Sequence, residues 1–175
     1  NINSVNALLK VLEEPNDKLI FILTHNSERK IIPTLKSRCI QFKVTLDKLF
    51  IPRIINNIYG ENLFENISED LKLHYNTPSF YINLIIFCKE HDISLENLKI
   101  DYLLNFIIKN NLYKKNNFVK KELKNFIEIF FFNKLRSVKD KSFLKLYSYF
   151  NLRFYDVLKF NLDIESFLIE FKTKM

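Results

Sequence analysis

Glycine and proline are scarce in this chain, which has one glycine and four prolines in 175 residues. Because these residues form most tight turns, their scarcity favours helices joined by polar loops. Hydrophobic residues make up 47% of the chain, and 18 phenylalanines and 8 tyrosines supply much of that bulk. A sizeable core can therefore be buried, in one domain or two small ones.

The charge balance is basic, with a net charge of +7 and a pI of about 9.3. A basic chain can bind nucleic acid. Nearly all of this charge comes from lysine, however, in a sequence that is also rich in Asn, Ile and Phe, as A+T-rich coding sequences are. The charge therefore does not by itself predict a nucleic-acid partner. The arginines are the more informative cations: Arg29, Arg38, Arg53, Arg136 and Arg153.

The two cysteines, Cys39 and Cys88, have neither a CxxC motif nor metal-ligand spacing. Without a signal peptide, they predict a reduced, cytoplasmic protein. No apolar run reaches the ~18 residues that span a bilayer, so no membrane partner is expected. The sequence starts at Asn1 inside a helical pattern, and we expect that an N-terminal part is missing.

The first 45 residues alternate between helix and strand patterns. Apolar residues at helical spacing predict a helix over 3–14. The continuous apolar run 19–23 predicts a strand buried on both faces of a parallel sheet. A short helix over 27–32, which Pro33 ends, and a half-buried strand over 40–44 follow. Since two strands form no stable parallel sheet alone, this part is typical of the end of an α/β domain.

Strand patterns are absent after residue 45. Asp163 is a predicted N-cap for the last helix, and 110–111 and 114–117 are the candidate linkers. The spacing of apolar residues predicts helices over 47–58, 69–76, 79–91, 95–110, 118–137, 142–150, 152–160 and 163–173.

Three ordered blocks carry a resemblance to a known family. They read VNALLKVLEEP at 5–15, LIFILTHN at 19–26 and IIPTLKSRCIQF at 31–42. This set resembles the second half of the AAA+ module in bacterial DNA polymerase III clamp-loader subunits, where the middle block is the sensor-1 strand. The resemblance covers about 40 residues, and it is closer to the delta-prime type than to the ATPase gamma/tau type.

The resemblance implies an α/β remnant followed by an all-α region. Residues 1–45 would be the C-terminal part of an AAA+ module, with sensor 1 and the SRC motif. Residues 46–95 would form a helical lid, and residues 96–175 a helical collar that assembles the subunits.

The implied function is that of a clamp-loader subunit in the replicative DNA polymerase III holoenzyme, a DNA-directed DNA polymerase and so a nucleotidyltransferase. With gamma/tau and delta subunits it would form a hetero-pentamer that uses ATP to load the sliding clamp onto primed DNA. This chain would have no catalytic site and no cofactor of its own, because neighbouring subunits would hold ATP and Mg.

Arg38 of the SRC motif is the strongest candidate for a functional residue. The resemblance implies a trans arginine finger that reaches the γ-phosphate of ATP held by the neighbouring subunit. A guanidinium is always charged, and its planar fork fits phosphate oxygens well. The alternative is a surface arginine paired with a carboxylate. Ser37 is expected to hydrogen-bond backbone at the turn, and Cys39 to point inward at the start of the strand.

Thr24 and Lys10 are two further candidates for functional residues. Thr24 ends the run 19–23 at the sensor-1 position, where a polar side chain lies near the γ-phosphate in ATP-hydrolysing relatives. It could equally bond the backbone at a strand end. Lys10 could lie at a subunit interface or near DNA phosphate, although a solvated helix face with a Lys10–Glu14 pair is the simpler interpretation. No metal site is predicted, and neither His74 nor His91 belongs to an acid–base constellation.

Two alternative functions remain open. Active relatives carry a sensor-2 arginine where 76–84 here has neither Arg nor Gly, so ATP hydrolysis by this subunit is doubtful. An ATP-hydrolysing gamma/tau-type subunit, or another AAA+ DNA-dependent ATPase, would need a GxxxxGK[ST] loop; this sequence has none, so the loop would have to lie in the N-terminal part that we expect to be missing. A helical nucleic-acid-binding module is the second alternative. Its candidate residues, which are better interpreted as a solvated cap over core aromatics, are Lys114, Lys115, Lys120, Lys121 and Lys124 beside Phe126, Phe130, Phe131 and Phe132.

Overall fold

The computed structural model describes residues 2–13, 19–25, 31–42, 46–60, 62–137 and 141–174. The chain divides into two compact units, Asn1–Thr45 and Leu46–Met175. All regular structure within the described ranges is helical. The first unit contains α1 (Ile2–Glu13) and α2 (Pro33–Lys36).

The second unit is an all-helical body. Its helices are α3 (Phe50–Tyr59), α4 (Glu69–Lys72), α5 (Pro78–Glu90), α6 (Ile100–Lys109), α7 (Leu112–Lys115), α8 (Asn117–Ser137), α9 (Lys141–Lys159) and α10 (Ile164–Lys174). Within the described ranges, none of the helices has both the length and the apolar character needed to cross a membrane.

The predicted strand over 19–23 is wrong. Residues 19–25 have no regular structure, and the side chains of Ile20 and Ile22 are 91% and 84% exposed. The same holds for the described part of the second predicted strand, where Ile40 and Phe42 are 84% and 83% exposed; residues 43–45 lie outside the described residues. A strand is maintained by hydrogen bonds to a neighbouring strand. The part of the chain that the structure describes offers none.

Proline 33 begins a helix instead of ending one. It occupies the first turn of α2, where an N–H has no intrahelical partner and the fixed φ of proline suits a helix. Ile32 precedes it in an extended conformation, with φ −62° and ψ 132°, as expected before a proline. The predicted helix over 27–32 is therefore wrong at 31–32, and residues 26–30 lie outside the described residues.

Phenylalanine rings fill the centre of the second unit, where α8, α9 and α10 meet. Phe131 and Phe150, from α8 and α9, are each 1% exposed and their ring centroids lie 6.0 Å apart. Phe171 of α10 lies 5.2 Å from Phe150 and 5.4 Å from Phe130, in edge-to-face contacts that favour aromatic pairs. Ring packing therefore joins α8, α9 and α10.

Several helix boundaries differ from their predictions. The two helices predicted over 142–150 and 152–160 are one helix, α9, because Asn151 is exposed and nothing around it interrupts the backbone hydrogen bonds. The helix predicted over 69–76 ends at Lys72, and the one predicted over 95–110 begins at Ile100. Pro52 is tolerated because it lies in the first turn of α3.

The N-cap predicted for the last helix is confirmed. The carboxylate of Asp163 accepts hydrogen bonds from the backbone N–H groups of Glu165 and Ser166, at 3.3 Å and 2.9 Å, and from the Ser166 hydroxyl at 2.8 Å. These donors would otherwise be unpaired at the start of α10. The bonds from Ser166, and then that from Glu165, lower the pKa of Asp163 below its ordinary value.

Turns between helices use asparagine and aspartate where glycine is usual. Gly60 ends α3 in the left-handed region with φ 68°. The other described residues with positive φ are Asp92, Asn97, Asn111 and Asn161, at φ 52°, 59°, 53° and 52°. Both residue types tolerate this region because a short polar side chain can bond nearby backbone.

One hydrophobic core extends from Ile51 to Phe171 within the second unit. Of the predicted linkers, 110–111 is a tight turn with Asn111 in the left-handed region, and 114–117 spans the end of α7 and the start of α8. The division of this unit into a lid and a collar stays a prediction.

Replacing Phe131 by alanine should lower the free energy of unfolding by about 3–5 kcal/mol, because it leaves a cavity among packed rings. Phe132→Ala is the matched control: this neighbouring ring is 37% exposed, and its loss should cost about 1 kcal/mol or less. Urea denaturation followed by circular dichroism measures both. Equal losses from the two substitutions would contradict the described core.

Replacing Asp163 by asparagine should reduce the loss of stability in acid. A pKa that is lower in the folded state means that the ionised carboxylate stabilises the fold above its unfolded pKa, and that this contribution is lost as pH falls below about 4. Asparagine still caps the helix but does not titrate. Urea midpoints measured at a series of pH values provide the test, and an unchanged acid dependence in the variant would refute this role.

Candidate functional site around Arg38

The segment after α2 is a tight turn that presents Arg38. The backbone N–H of Ser37 donates to the Pro33 carbonyl at 3.0 Å, and that of Arg38 donates to the Leu35 carbonyl at 3.2 Å. The Ser37 hydroxyl donates to the Thr34 carbonyl at 3.0 Å. The predicted backbone hydrogen bond of Ser37 is therefore confirmed.

The guanidinium of Arg38 joins the two helices of the first unit. Its Nη1 donates to the Thr34 carbonyl at 2.9 Å, and its Nη2 donates to Oε1 of Glu13, the last residue of α1. The Thr34 carbonyl lies at the end of α2, where helix carbonyls lack intrahelical donors. The side chain of Arg38 is thus oriented by one backbone group and one carboxylate.

The Arg38–Glu13 pair lies at the surface, with the side chains 37% and 49% exposed. Ion pairs with this exposure contribute about 0–1 kcal/mol to stability. The surface ion pair considered as the alternative interpretation of Arg38 is therefore present. Since breaking such a pair costs little, the pair does not prevent Arg38 from binding a phosphate, and the arginine-finger role stays a prediction.

Sequence reasoning did not identify Glu13 as the partner of Arg38. The two residues are 25 positions apart, and no spacing rule connects the end of one helix with a turn after another. Only the general preference of a guanidinium for a carboxylate could have suggested an acidic partner.

The other predicted site residues make fewer polar contacts than Arg38. Cys39 is a free thiol and is half-buried, so it does not reach the interior position expected for it. Thr24 and Lys10 are both exposed, and within the described ranges neither side chain forms a hydrogen bond or an ion pair. Glu14, the predicted partner of Lys10, lies outside the described residues. The structure therefore does not join these residues to Arg38 in one polar network.

The stretch 76–84, where active relatives carry a sensor-2 arginine, forms the start of α5. The Thr77 side chain accepts a hydrogen bond from the Phe80 N–H at 3.3 Å and so caps this helix. Phe80 and Tyr81 point into the core, each 2% exposed. The buried Asn76 accepts from the side chain of Asn125 at 2.7 Å. This stretch is consequently bound into the interior of the second unit.

The lysine cluster around the start of α8 is largely paired with carboxylates. Lys114 forms an ion pair with Glu165, and Lys124 lies 3.4 Å from Glu128. Behind the lysines, Phe126, Phe130 and Phe131 are at most 2% exposed and belong to the core, which agrees with the interpretation as a solvated cap, whereas Phe132 is 37% exposed and does not.

Neither His74 nor His91 lies in a group of side chains that could bind a metal, within the described part of the chain. His74 packs edge-on against Phe132 at 5.7 Å, and His91 lies 4.6 Å from Phe87. Both histidine rings therefore pack against phenylalanine, and the Nδ1 atom of His74 is buried without a hydrogen-bond partner among the described residues.

The N-terminal unit is also the part of the chain that matches a family model. The family model described as DNA polymerase III, delta subunit, matches residues 1–48. A DNA polymerase III subunit delta' of Pseudomonas aeruginosa is 46% identical over 41 residues, which cover 23% of this chain and 12% of that protein. No solved structure matches the chain.

A second delta' subunit matches over a longer stretch, and a gamma subunit also matches. The subunit delta' of Buchnera aphidicola subsp. Baizongia pistaciae is 33% identical over 125 residues, which cover 67% of this chain and 32% of that protein. A subunit gamma of Buchnera aphidicola subsp. Schizaphis graminum is 48% identical over 44 residues, covering 25% of this chain and 12% of that protein. The chain thus spans about a third or less of the length of these relatives.

These similarities define the class: the chain is related to the subunits of bacterial DNA polymerase III. Within that class it is a relative of the delta-prime type, as the three sequence blocks predicted.

Replacing Glu13 by glutamine should change the free energy of unfolding by less than about 1 kcal/mol, since the pair with Arg38 is exposed. Glu65→Gln, which alters an exposed carboxylate outside any ion pair within the described ranges, is the control. Urea unfolding at low salt and at about 1 M salt, where such pairs are screened, measures the difference. A loss several times larger, insensitive to salt, would contradict this geometry.

Proposed function

We propose that this chain acts in the clamp loader of the replicative DNA polymerase III holoenzyme as a delta-prime type subunit, and that Arg38 is a trans arginine finger. The observation that carries the proposal is the exposed guanidinium of Arg38 within the segment 1–48 that matches the family. An arginine on the surface of this unit is accessible to a nucleotide held by another chain.

The proposed role uses the geometry of the Arg38 side chain. A guanidinium has five N–H donors, of which Nη1 and Nη2 each make one hydrogen bond here, so donors remain for phosphate oxygens. Exchanging the Glu13 carboxylate for a triphosphate would cost about 0–1 kcal/mol. The ATP and its Mg ion would be held by the neighbouring subunit. Fingers of this kind accelerate phosphoryl transfer by about 10³–10⁵.

The second unit would contribute the structural part of the function. Residues 46–95 would act as the lid and residues 96–175 as the collar, in a hetero-pentamer with gamma/tau and delta subunits. The continuous aromatic core supports this role, because it lets the unit transmit force between neighbours without separating. The assembled complex would open the sliding clamp and load it onto primed DNA in the cytoplasm.

A gamma/tau-type subunit that hydrolyses ATP itself is the second candidate. The match to a subunit gamma over 44 residues favours it. The 175 residues of this sequence contain a single glycine, Gly60, and therefore no GxxxxGK[ST] loop. Nucleotide binding by the full-length protein, measured with a fluorescent ATP analogue, separates the two: tight binding indicates the gamma/tau type.

Arg38→Ala should lower DNA-stimulated ATP turnover and clamp loading at least about tenfold in a reconstituted loader, because the transition-state charge loses a cation. The melting temperature of the subunit should barely move. Arg53→Ala is the matched control, since Arg53 is exposed, its guanidinium lies 5.8 Å from the Phe50 ring, and it forms no ion pair with the described residues. Arg38→Lys should recover little activity, since an ammonium cannot form the planar fork.

The proposal fails if the Arg38→Ala subunit assembles and loads clamps at the wild-type rate. It also fails if that variant loses activity only in proportion to lost stability, because the arginine would then act within its own chain.

A further inference from the structure

One face of α9 exposes apolar side chains that lie in line. Leu144, Leu152, Tyr155 and Leu158 are 52%, 67%, 58% and 64% exposed. Their spacing places them on one side of a helix with 3.6 residues per turn. The opposite side of α9 is anchored in the core by Phe150, Phe154 and Val157, each at most 5% exposed. The exposed stripe, called the α9 seam below, is therefore held rigidly.

The α9 seam borders a groove of about 570 Å³. Lys124 of α8 lines one side of it, and Ser148, Asn151, Leu152, Tyr155 and Leu158 line the other. From Leu144 to Leu158 the seam extends about 21 Å along the helix, or roughly four turns. The part of α9 that lines the groove runs from Ser148 to Leu158, about 15 Å or roughly three turns, which suits a helical segment lying along it.

Lysines lie beside and within the α9 seam. Lys124 lies on the α8 side, and its exposed ion pair with Glu128, at 3.4 Å, is weak enough to rearrange. On α9 itself, Lys159 lies between Tyr155 and Leu152 and Lys145 lies beside Leu152; both lysines are exposed, and neither forms an ion pair within the described ranges, although the half-buried Asp156 follows on the same side of the helix. The ammonium of Lys159 lies 5.5 Å from the Tyr155 ring. The apolar stripe is therefore accompanied by positive charge.

We propose that the α9 seam binds an amphipathic helix of another protein chain, one whose apolar stripe is flanked by aspartate and glutamate. The leucines and Tyr155 would pack against the apolar stripe, as in helix-in-groove recognition. Lys124, Lys145 and Lys159 would pair with the flanking carboxylates and set the register. This inference deepens the proposed collar role of residues 96–175 and rests on it, but it does not rest on the proposed role of Arg38.

Charge argues against two other occupants. A second copy of this chain would bring lysines against lysines along the seam, which repels. A nucleic acid would gain from the lysines, but bases stack on aromatic rings, and three of the four seam residues are leucines. The leucines are best matched by another apolar helix surface.

The test uses this chain and a labelled helical peptide of about 20 residues with leucines at i, i+3, i+4 and i+7 and glutamates beside them. A second peptide carries lysines in place of the glutamates. Fluorescence anisotropy should show binding of the acidic peptide at least tenfold tighter than that of the basic one.

Leu158→Asp should weaken acidic-peptide binding at least tenfold, and Tyr155→Ser is the second variant if Leu158→Asp does not fold. Ile169→Asp on α10 is the matched control: this residue is 58% exposed, lies outside the groove lining, and should leave the affinity unchanged.

A charge exchange makes the test stricter. The double variant Lys145→Glu/Lys159→Glu should lose the acidic peptide and gain the basic one, which a merely sticky surface would not do. The proposal is overturned if the variants leave the affinity unchanged, or if Ile169→Asp weakens it equally. It is also overturned if a single-stranded oligonucleotide displaces the acidic peptide, or if sedimentation equilibrium shows a dimer of this chain that Leu158→Asp dissociates. Arg38→Ala should not affect the peptide, so the two proposals fail separately.

Discussion

The packing of Phe131, Phe150 and Phe171 holds the second unit together, because these rings come from three different helices and Phe171 packs edge to face against the other two. Each ring buries a large apolar area and fixes the approach of its helix. The remaining features of the unit depend on that arrangement. With one side of α9 anchored in the core, its leucines must face outward, and the Asp163 cap only has to start a helix whose far end is already held by Phe171.

The helices of the second unit could be predicted because the residues that bury their apolar faces lie in the same unit. Phe167 and Phe171 repeat at helical spacing; in the core, Phe167 meets the Phe150 ring of α9 and Phe171 meets the Phe130 ring of α8. The helix boundaries were harder to predict. A break was predicted at Asn151, but the helix continues there because no side chain interrupts its backbone hydrogen bonds. The run 19–23 shows the opposite case. Its composition is that of a strand, but pairing is a property of neighbours, and Ile20 stays exposed without one.

The site around Arg38 divides in the same way. The arginine and the backbone hydrogen bond of Ser37 could be identified from local sequence, but the short helix before them could not, because Pro33 was predicted to end a helix and instead begins one. Its partner could not, because Glu13 approaches through the folding of α1 and α2 and not through any spacing along the chain. A guanidinium held by one carbonyl and one exposed carboxylate is oriented yet easily displaced, which is a useful condition for a side chain whose proposed ligand belongs to another molecule.

The left-handed turns show how the fold is compatible with a sequence that is so poor in glycine. With Asp92, Asn97, Asn111 and Asn161 at positive φ, three connections between helices (α5 to α6, α6 to α7 and α9 to α10) adopt a geometry that usually selects glycine, and among the described residues only Gly60 supplies glycine itself. Glycine codons are G-rich, whereas asparagine codons are A-rich. A genome drifting in base composition can therefore exchange one residue for the other at helix ends without altering the path of the chain, and a lineage's mutational bias leaves its mark on the sequence while the architecture persists.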